Sequence, residues 1–345
     1  MGAADRLDVL IQRCYAGLDA DELRSETLRR LKGLMTIDAA FFATVDPATV
    51  LFTAVSVDEP LGAVTEQFLA NEFGQADVNK FVTLAAARDP VSSLGHATKG
   101  DWASSARYAE VMRPLGLGDE LRAALVSNGR CWGVICLHRE DADAGFSEQE
   151  LQLVRRLTPH LAEGLRRGLR MGSMETADVG PGVVVLDADL RVESISAEAE
   201  HWLAELDPDR RSELPVAVRA VAAQLMQVQE LPAAPAVKVR TKAGRWLALH
   251  ASTLRGGGER TAVVIEPVTP AQLGSFLLDV HGLTPAQQRV TELLLQGFST
   301  RQIVERLCLS PYTVQEHVRA AYDKVGVGSR RELVTALLRG SASPG

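Results

Sequence analysis

Tyr312, Gln315, Glu316 and Arg319 stand three, four and seven positions along from the first of them in PYTVQEHVRAAYDKV. That is the spacing of one helix face. These side chains suit the edges of base pairs in a major groove: glutamine suits adenine, arginine suits guanine, and a carboxylate accepts from the cytosine amine. Val314, Val318, Ala321, Tyr322 and Val325 recur on the other side and suit a small core. The plainer alternative is a capped helix used only for docking. The polar face lies in the first half of the helix, where base reading needs it, and that favours contact with bases.

The elements that must hold this face announce themselves by their caps. Thr284 with Gln287, Ser299 with Gln302, and Ser329 with Glu332 have capping-box spacing, and Ser310 caps a further helix. Pro285 and Pro311 sit at first helical positions. Phe298 and Ile303 are placed to staple the second helix. Each cap contributes ~1 kcal/mol, which helices this short need. The turn LCLS between the second and third helices is short, as a helix-turn-helix requires. Leu333, Val334, Leu337 and Leu338 on the last helix exceed what one face of a small bundle needs, so part of that stripe is expected at a dimer contact.

The charge supports the same division. The chain has 345 residues and a net charge of −7. Residues 283–340 hold eight Lys/Arg and five Asp/Glu, a balance of +3, so the remainder carries −10. A small basic segment on an acidic body points to an anionic partner for that segment alone. No apolar run approaches ~18 residues, so no membrane partner is expected. The N-terminus lacks a signal-peptide layout, and four scattered cysteines suit a reducing cytoplasm.

Ahead of the tail, Leu7, Leu10, Ile11 and Cys14, then Leu23, Thr27, Leu31 and Leu34, give helical spacing over 1–36. AAFFATVD and VLFTAVSV read as strands around Asp46-Pro47. Ser127-Asn128-Gly129-Arg130 marks a hairpin, and Ser147 with Glu150 opens a long helix. Its stripe Leu153, Leu157, Leu161, Leu165 and Leu169 slightly favours a signalling and dimerisation helix over simple packing. METADVGPG (174–182) reads as a boundary. Two strands, two helices and three strands follow, an antiparallel α+β pattern. PVTPAQLGSFLLDVHG reads as a link to the tail.

With these elements assembled, residues 283–338 resemble the LuxR-type (GerE-like) helix-turn-helix domain. The resemblance rests on LTP, GFSTRQIVERL, LSPYTVQEHV and KVGVGSRRELV. It implies a four-helix domain on double-stranded DNA, paired through its last helix as a homodimer. It also implies that Gln315, Glu316 and Arg319 reach bases, while Thr300, Arg301, Thr313 and Lys324 hold phosphates. The family usually has Glu, Lys and Gly where Gln287, Gln315 and Cys308 stand, which bears on the operator sequence. Residues 20–170 resemble a GAF domain, and residues 178–268 resemble a PAS-like domain. The expected fold class is therefore multidomain: an α+β GAF-like domain with flanking helices (1–173), an α+β PAS-like domain (178–268) and an all-α LuxR-type domain (275–345).

The expected function is a cytoplasmic transcription regulator, not an enzyme, that responds to a small ligand or partner. Trp102, Tyr108 and Trp132 are the candidate ligand pocket in the first domain; ordinary core packing is the alternative. Cys136 and His138 share a strand face while Cys131 points away, which does not close a tetrahedral site, so no metal is expected. Lone His201 or His250 does not establish a haem, and no cofactor is expected. Gly256-Gly257-Gly258 lacks the following Lys-Ser/Thr of a phosphate loop. A GAF-based enzyme with a DNA-binding tail and an acyl-homoserine-lactone-type quorum sensor are the alternatives. A receiver domain is excluded by the helical opening.

Overall fold

A computed structural model describes residues 3–140, 145–169, 179–208, 214–227, 235–256, 259–268 and 270–338. The side chains of Ala3, Ala4, Pro270, Ala271, Gln272 and Leu338 lie outside that description, as do residues 174–178 of the boundary stretch and Gly257-Gly258.

The first domain is built on strands β1 (Ala39–Val45), β2 (Phe52–Val57), β3 (Val91–Ser93), β4 (Leu117–Ser127) and β5 (Arg130–Glu140), in the antiparallel order β2-β1-β5-β4-β3. Asn128 and Gly129 both take positive φ, the geometry that lets a two-residue turn follow the strand twist. Alternation along β1 splits the core in two: Phe41 and Ala43 face one side, Ala40 and Phe42 the other. Helices α1 (Ala3–Cys14), α2 (Ala20–Leu31) and α6 (Glu148–Gly168) cover the second side. The helical stretch read over 1–36 is thus two helices, parted near Gly17 with its φ of 74°. Helices α3 (Thr65–Gly74), α4 (Phe81–Ala86) and α5 (Leu94–Ala97) lie between, and Phe68 and Phe81 cover the first side. The leucine stripe of α6 packs inward: Leu157, Leu161 and Leu165 are buried, with Leu153 and Leu169 at the edge of the same core. It serves domain packing, not a partner helix.

The second domain repeats the strand order. Strands β6 (Gly182–Leu186), β7 (Val192–Ile195), β8 (Ala236–Arg240), β9 (Trp246–Leu254) and β10 (Arg260–Pro267) run β7-β6-β10-β9-β8. Helix α7 (Ala197–Leu206) buries Trp202, whose indole donates to the Gly180 carbonyl at 2.9 Å. Helix α8 (Val216–Gln227) is alanine-rich and buried on several faces because it packs both on this sheet and on α3 and β2 of the first domain. At the other end of the interface Asp46 accepts the Lys238 backbone N–H at 2.7 Å.

The stretch read as a link contains helix α9 (Pro270–Val280). Leu273, Phe276 and Val280 join the core of the first domain, and Leu278 joins the core of the C-terminal bundle. That bundle is α10 (Pro285–Leu295), α11 (Thr300–Leu307), α12 (Pro311–Val325) and α13 (Arg330–Leu338). Its core includes Val290, Leu294, Ile303, Val314, Ala321, Val325, Leu333 and Leu337. Gly282, between α9 and α10, has a φ of +73°, and a Cβ there would meet Arg166 Nη1 at 2.9 Å. The left-handed φ is what favours glycine there, while Arg166 would have to shift its guanidinium for any larger residue. No helix among the described residues is long and apolar enough to cross a membrane.

Candidate nucleic-acid interface

The caps form as local spacing dictates. Thr284 with Gln287 and Ser299 with Gln302 make full capping boxes, and Ser310 accepts from Thr313 N–H at 3.0 Å. Ser329 accepts from Glu332 N–H, but the Glu332 carboxylate reaches back to Gly328 N–H at 2.8 Å, one residue beyond the usual box. Cys308 ends α11 in the left-handed region with a φ of 52°, which explains glycine as the usual residue there.

With Val314, Ala321 and Val325 inward, α12 turns Tyr312, Gln315, Glu316 and Arg319 to solvent. Tyr312 is 72% exposed, an unusual position for a large aromatic without a partner. At the start of α11, Thr300 and Arg301 are exposed, and Arg301 pairs with Glu305 at 3.1 Å. An exposed pair of this kind contributes little and can exchange for a phosphate. Thr313 is half-buried and shares a hydrogen bond with Ser310.

Two groups of expected site residues sit elsewhere. Lys324 donates to the Gly282 carbonyl at 2.8 Å and to Gln287 Oε1 at 2.9 Å. It lies at the far end of α12, and its ammonium clasps the α9–α10 turn. Burial holds it below the ordinary lysine range, followed by the charge of Arg166. On α13, Leu333 and Leu337 are fully buried in the bundle's own core, and Val334 is half-buried. The stripe is therefore largely intramolecular, because α13 must cover both α9 and α12.

The three aromatics do not make one pocket. Trp102 and Tyr108 meet edge to face, centroids 5.6 Å apart, on the α3–α4 side of the first sheet. Trp132 lies on the α6 side, 1% exposed. A bulge explains it: Leu125 pairs with Gly133 and Val126 with Cys131, leaving Trp132 as the extra residue. The same bulge puts Cys131 on the side of Cys136, contrary to simple alternation.

Beneath the α3–α4 layer lies an ionic network that the sequence reading did not single out. Arg107 holds Glu120 at 2.7 Å, Arg122 holds Glu72 at 2.6 Å, and the Arg122 guanidinium carbon lies 3.8 Å from the Phe81 ring centroid. Burial would raise Glu120, but the charges of Arg107 and Arg122 outweigh it and bring its pKa to about 2. Burial, partly opposed by Glu120, lowers His138 to about 4. Glu120, Cys136 and His138 offer ligand atoms within 4.8 Å of one another. Two guanidinium groups already claim that carboxylate and burial pushes the Cys136 thiol up, so a dication would meet like charge and a protonated sulfur. His201, exposed, and His250, half-buried, pair with Glu205 and Glu266 at 3.2 and 3.3 Å.

An exposed polar face on the third helix of a capped four-helix bundle, following an α+β domain, defines a helix-turn-helix protein with an attached sensor-type domain. Residues 281–337 match the family described as bacterial regulatory proteins, luxR family, and residues 19–165 match the GAF domain. Spore germination protein GerE of Bacillus subtilis is 40% identical over 57 residues, 16% of this chain and 77% of GerE. A putative HTH-type transcriptional regulator of Mycobacterium bovis is 45% identical over 62 residues, 18% of this chain, and the match spans 7% of that protein's length. Among solved structures, Escherichia coli SdiA is 12% identical with a TM-score of 0.32, covering 97% of each chain. The GAF domain from Acinetobacter phosphoenolpyruvate-protein phosphotransferase is 13% identical with a TM-score of 0.33, covering 50% of this chain and 97% of that one. The chain belongs to the luxR family of bacterial regulatory proteins.

Proposed function

We propose that this chain is a sequence-specific transcription regulator that binds double-stranded DNA and acts by binding, not by turnover, in the cytoplasm. The observation that carries this is the outward face of α12, where Gln315, Glu316 and Arg319 stand free while the opposite face fills the bundle core. Those three side chains, with Tyr312, enter the major groove and read base edges. Thr300, Arg301 and Thr313 hold the phosphates on either side. The chain works as a homodimer paired through α13, with the half-buried Val334 at the contact with its mate. The GAF domain and the second α+β domain tune this binding in response to a small molecule. A gel shift of the full chain on genomic fragments tests the reading: a specific complex that weakens steeply with salt is expected. Binding that is absent, or indifferent to salt, contradicts it.

A further inference from the structure

The first domain, the second domain and α9 together enclose a cleft of about 310 Å³. Such a volume is within the range of small-molecule sites. One wall is apolar and comes from all three parts: Trp132, Leu165, Trp246 and Phe276. The Trp246 and Phe276 rings meet edge to face with centroids 4.7 Å apart. Much of the remaining lining is polar. Thr44 and Thr53 share a hydrogen bond there, and β8 with its following turn supplies Lys238, Arg240 and Lys242.

The charges of this lining do not cancel. Four cations line the cleft, Arg24, Lys238, Arg240 and Lys242, against two carboxylates, Asp19 and Asp21. Asp21 is taken by Arg24 and Lys242. Asp19 caps α2, accepting from Glu22 N–H at 2.8 Å. Lys238 lies beside Asp46, which accepts its backbone N–H. Arg240 is left over. Its guanidinium donates to the Gly244 carbonyl at 3.3 Å and the Gly168 carbonyl at 3.5 Å, both long contacts. No carboxylate pairs with it among the described residues. Burial alone draws its pKa below the ordinary arginine range, with no opposing charge. A half-buried guanidinium held only by two long contacts to carbonyl oxygens keeps donors free for an anion.

We infer that this cleft binds an organic anion, with a flat apolar body against Trp246 and Phe276 and its carboxylate, sulfonate or phosphate on Arg240. Phe276 belongs to α9, and two residues on Leu278 is part of the C-terminal core. An occupant of the cleft therefore touches the helix from which the DNA-reading bundle is hung. The regulatory consequence rests on the proposed function; the binding site itself does not.

The test uses two fluorescent probes on the full chain: 8-anilinonaphthalene-1-sulfonate, and its neutral analogue N-phenyl-1-naphthylamine, which lacks the sulfonate. The anionic probe should saturate one site per chain, quench tryptophan emission, and bind at least tenfold more tightly than the neutral one. Arg240→Gln should remove that preference. Ala54→Phe, which fills the cleft from β2 without touching Arg240's charge, should weaken both probes at least tenfold. Thermal melts establish that each variant is folded. Absence of a saturable site, equal affinity for the two probes, or affinities unchanged in both variants overturns the assignment. Gel shifts on the same preparations separate the two claims. DNA binding without probe binding strikes the cleft alone, and probe binding without DNA binding strikes the regulator reading alone.

Discussion

Replacing Phe276 by alanine should loosen the joint between the sensor domains and the C-terminal bundle. The ring is 5% exposed and meets Trp246 at 4.7 Å and Trp132 at 6.5 Å between centroids, both edge to face. Transfer of a buried phenylalanine side chain contributes ~1.5–3 kcal/mol. The void left behind adds to this, giving ~3–5 kcal/mol for such truncations. The lower end applies here, because Phe276 borders an open cleft into which water and neighbours can move. The expected loss is therefore about 3 kcal/mol. It should appear in urea unfolding followed by tryptophan emission, in the transition that exposes Trp132 and Trp246. Phe276→Leu should recover most of it. A loss below ~1 kcal/mol, the scale of a surface substitution, would refute the packing of α9 against the first domain.

Arg319→Ala should lower discrimination at one base pair of each half-site by ~1–3 kcal/mol; competition with singly substituted duplexes checks it, and a uniform loss across sequences would contradict the placement of α12. Lys324→Ala should reduce stability by ~1 kcal/mol while leaving the salt dependence of DNA binding unchanged; a shallower salt slope would mean that the lysine leaves Gly282 and Gln287 for a phosphate. His138 is held neutral with its pKa lowered from 6.5 to about 4, so the unfolded chain takes up the proton first. Its contribution is full above pH 6.5 and is lost as pH falls toward 4, so melting temperature should drop over that window and His138→Leu should flatten the drop. Glu120, lowered from 4.5 to about 2, loses its contribution as pH falls below about 5, so the His138 effect is read between pH 6.5 and about 5, above that overlap.

What the sequence made legible was mostly local. Capping boxes involve residues three apart, so Thr284, Ser299 and Ser147 could be placed from spacing alone. The face of α12 was readable for the same reason: one helix, one period, one buried side. Helix α9 was harder, because Leu273 and Phe276 serve one core and Leu278 another, which smears the apolar period. Trp132 was misplaced because a bulge after Cys131 reverses the alternation, and nothing in RCWGVICLHR marks it except the glycine itself. The last helix misled in the opposite sense. Leu333 and Leu337 looked surplus only while α9 was unseen, since α13 packs on it. The network of Arg107, Glu120 and Arg122 depends on Glu72, fifty residues before Arg122, and no spacing rule reaches that far.

The central claim is that α12 reads base sequence. Selecting duplexes from a randomised pool with the full chain, then repeating the selection with Gln315→Ala and Arg319→Ala, tests it most directly. The native chain should enrich a motif with two related halves, and each variant should relax the preference at a different position. A pool that remains random, or a motif that both variants select unchanged, would contradict it.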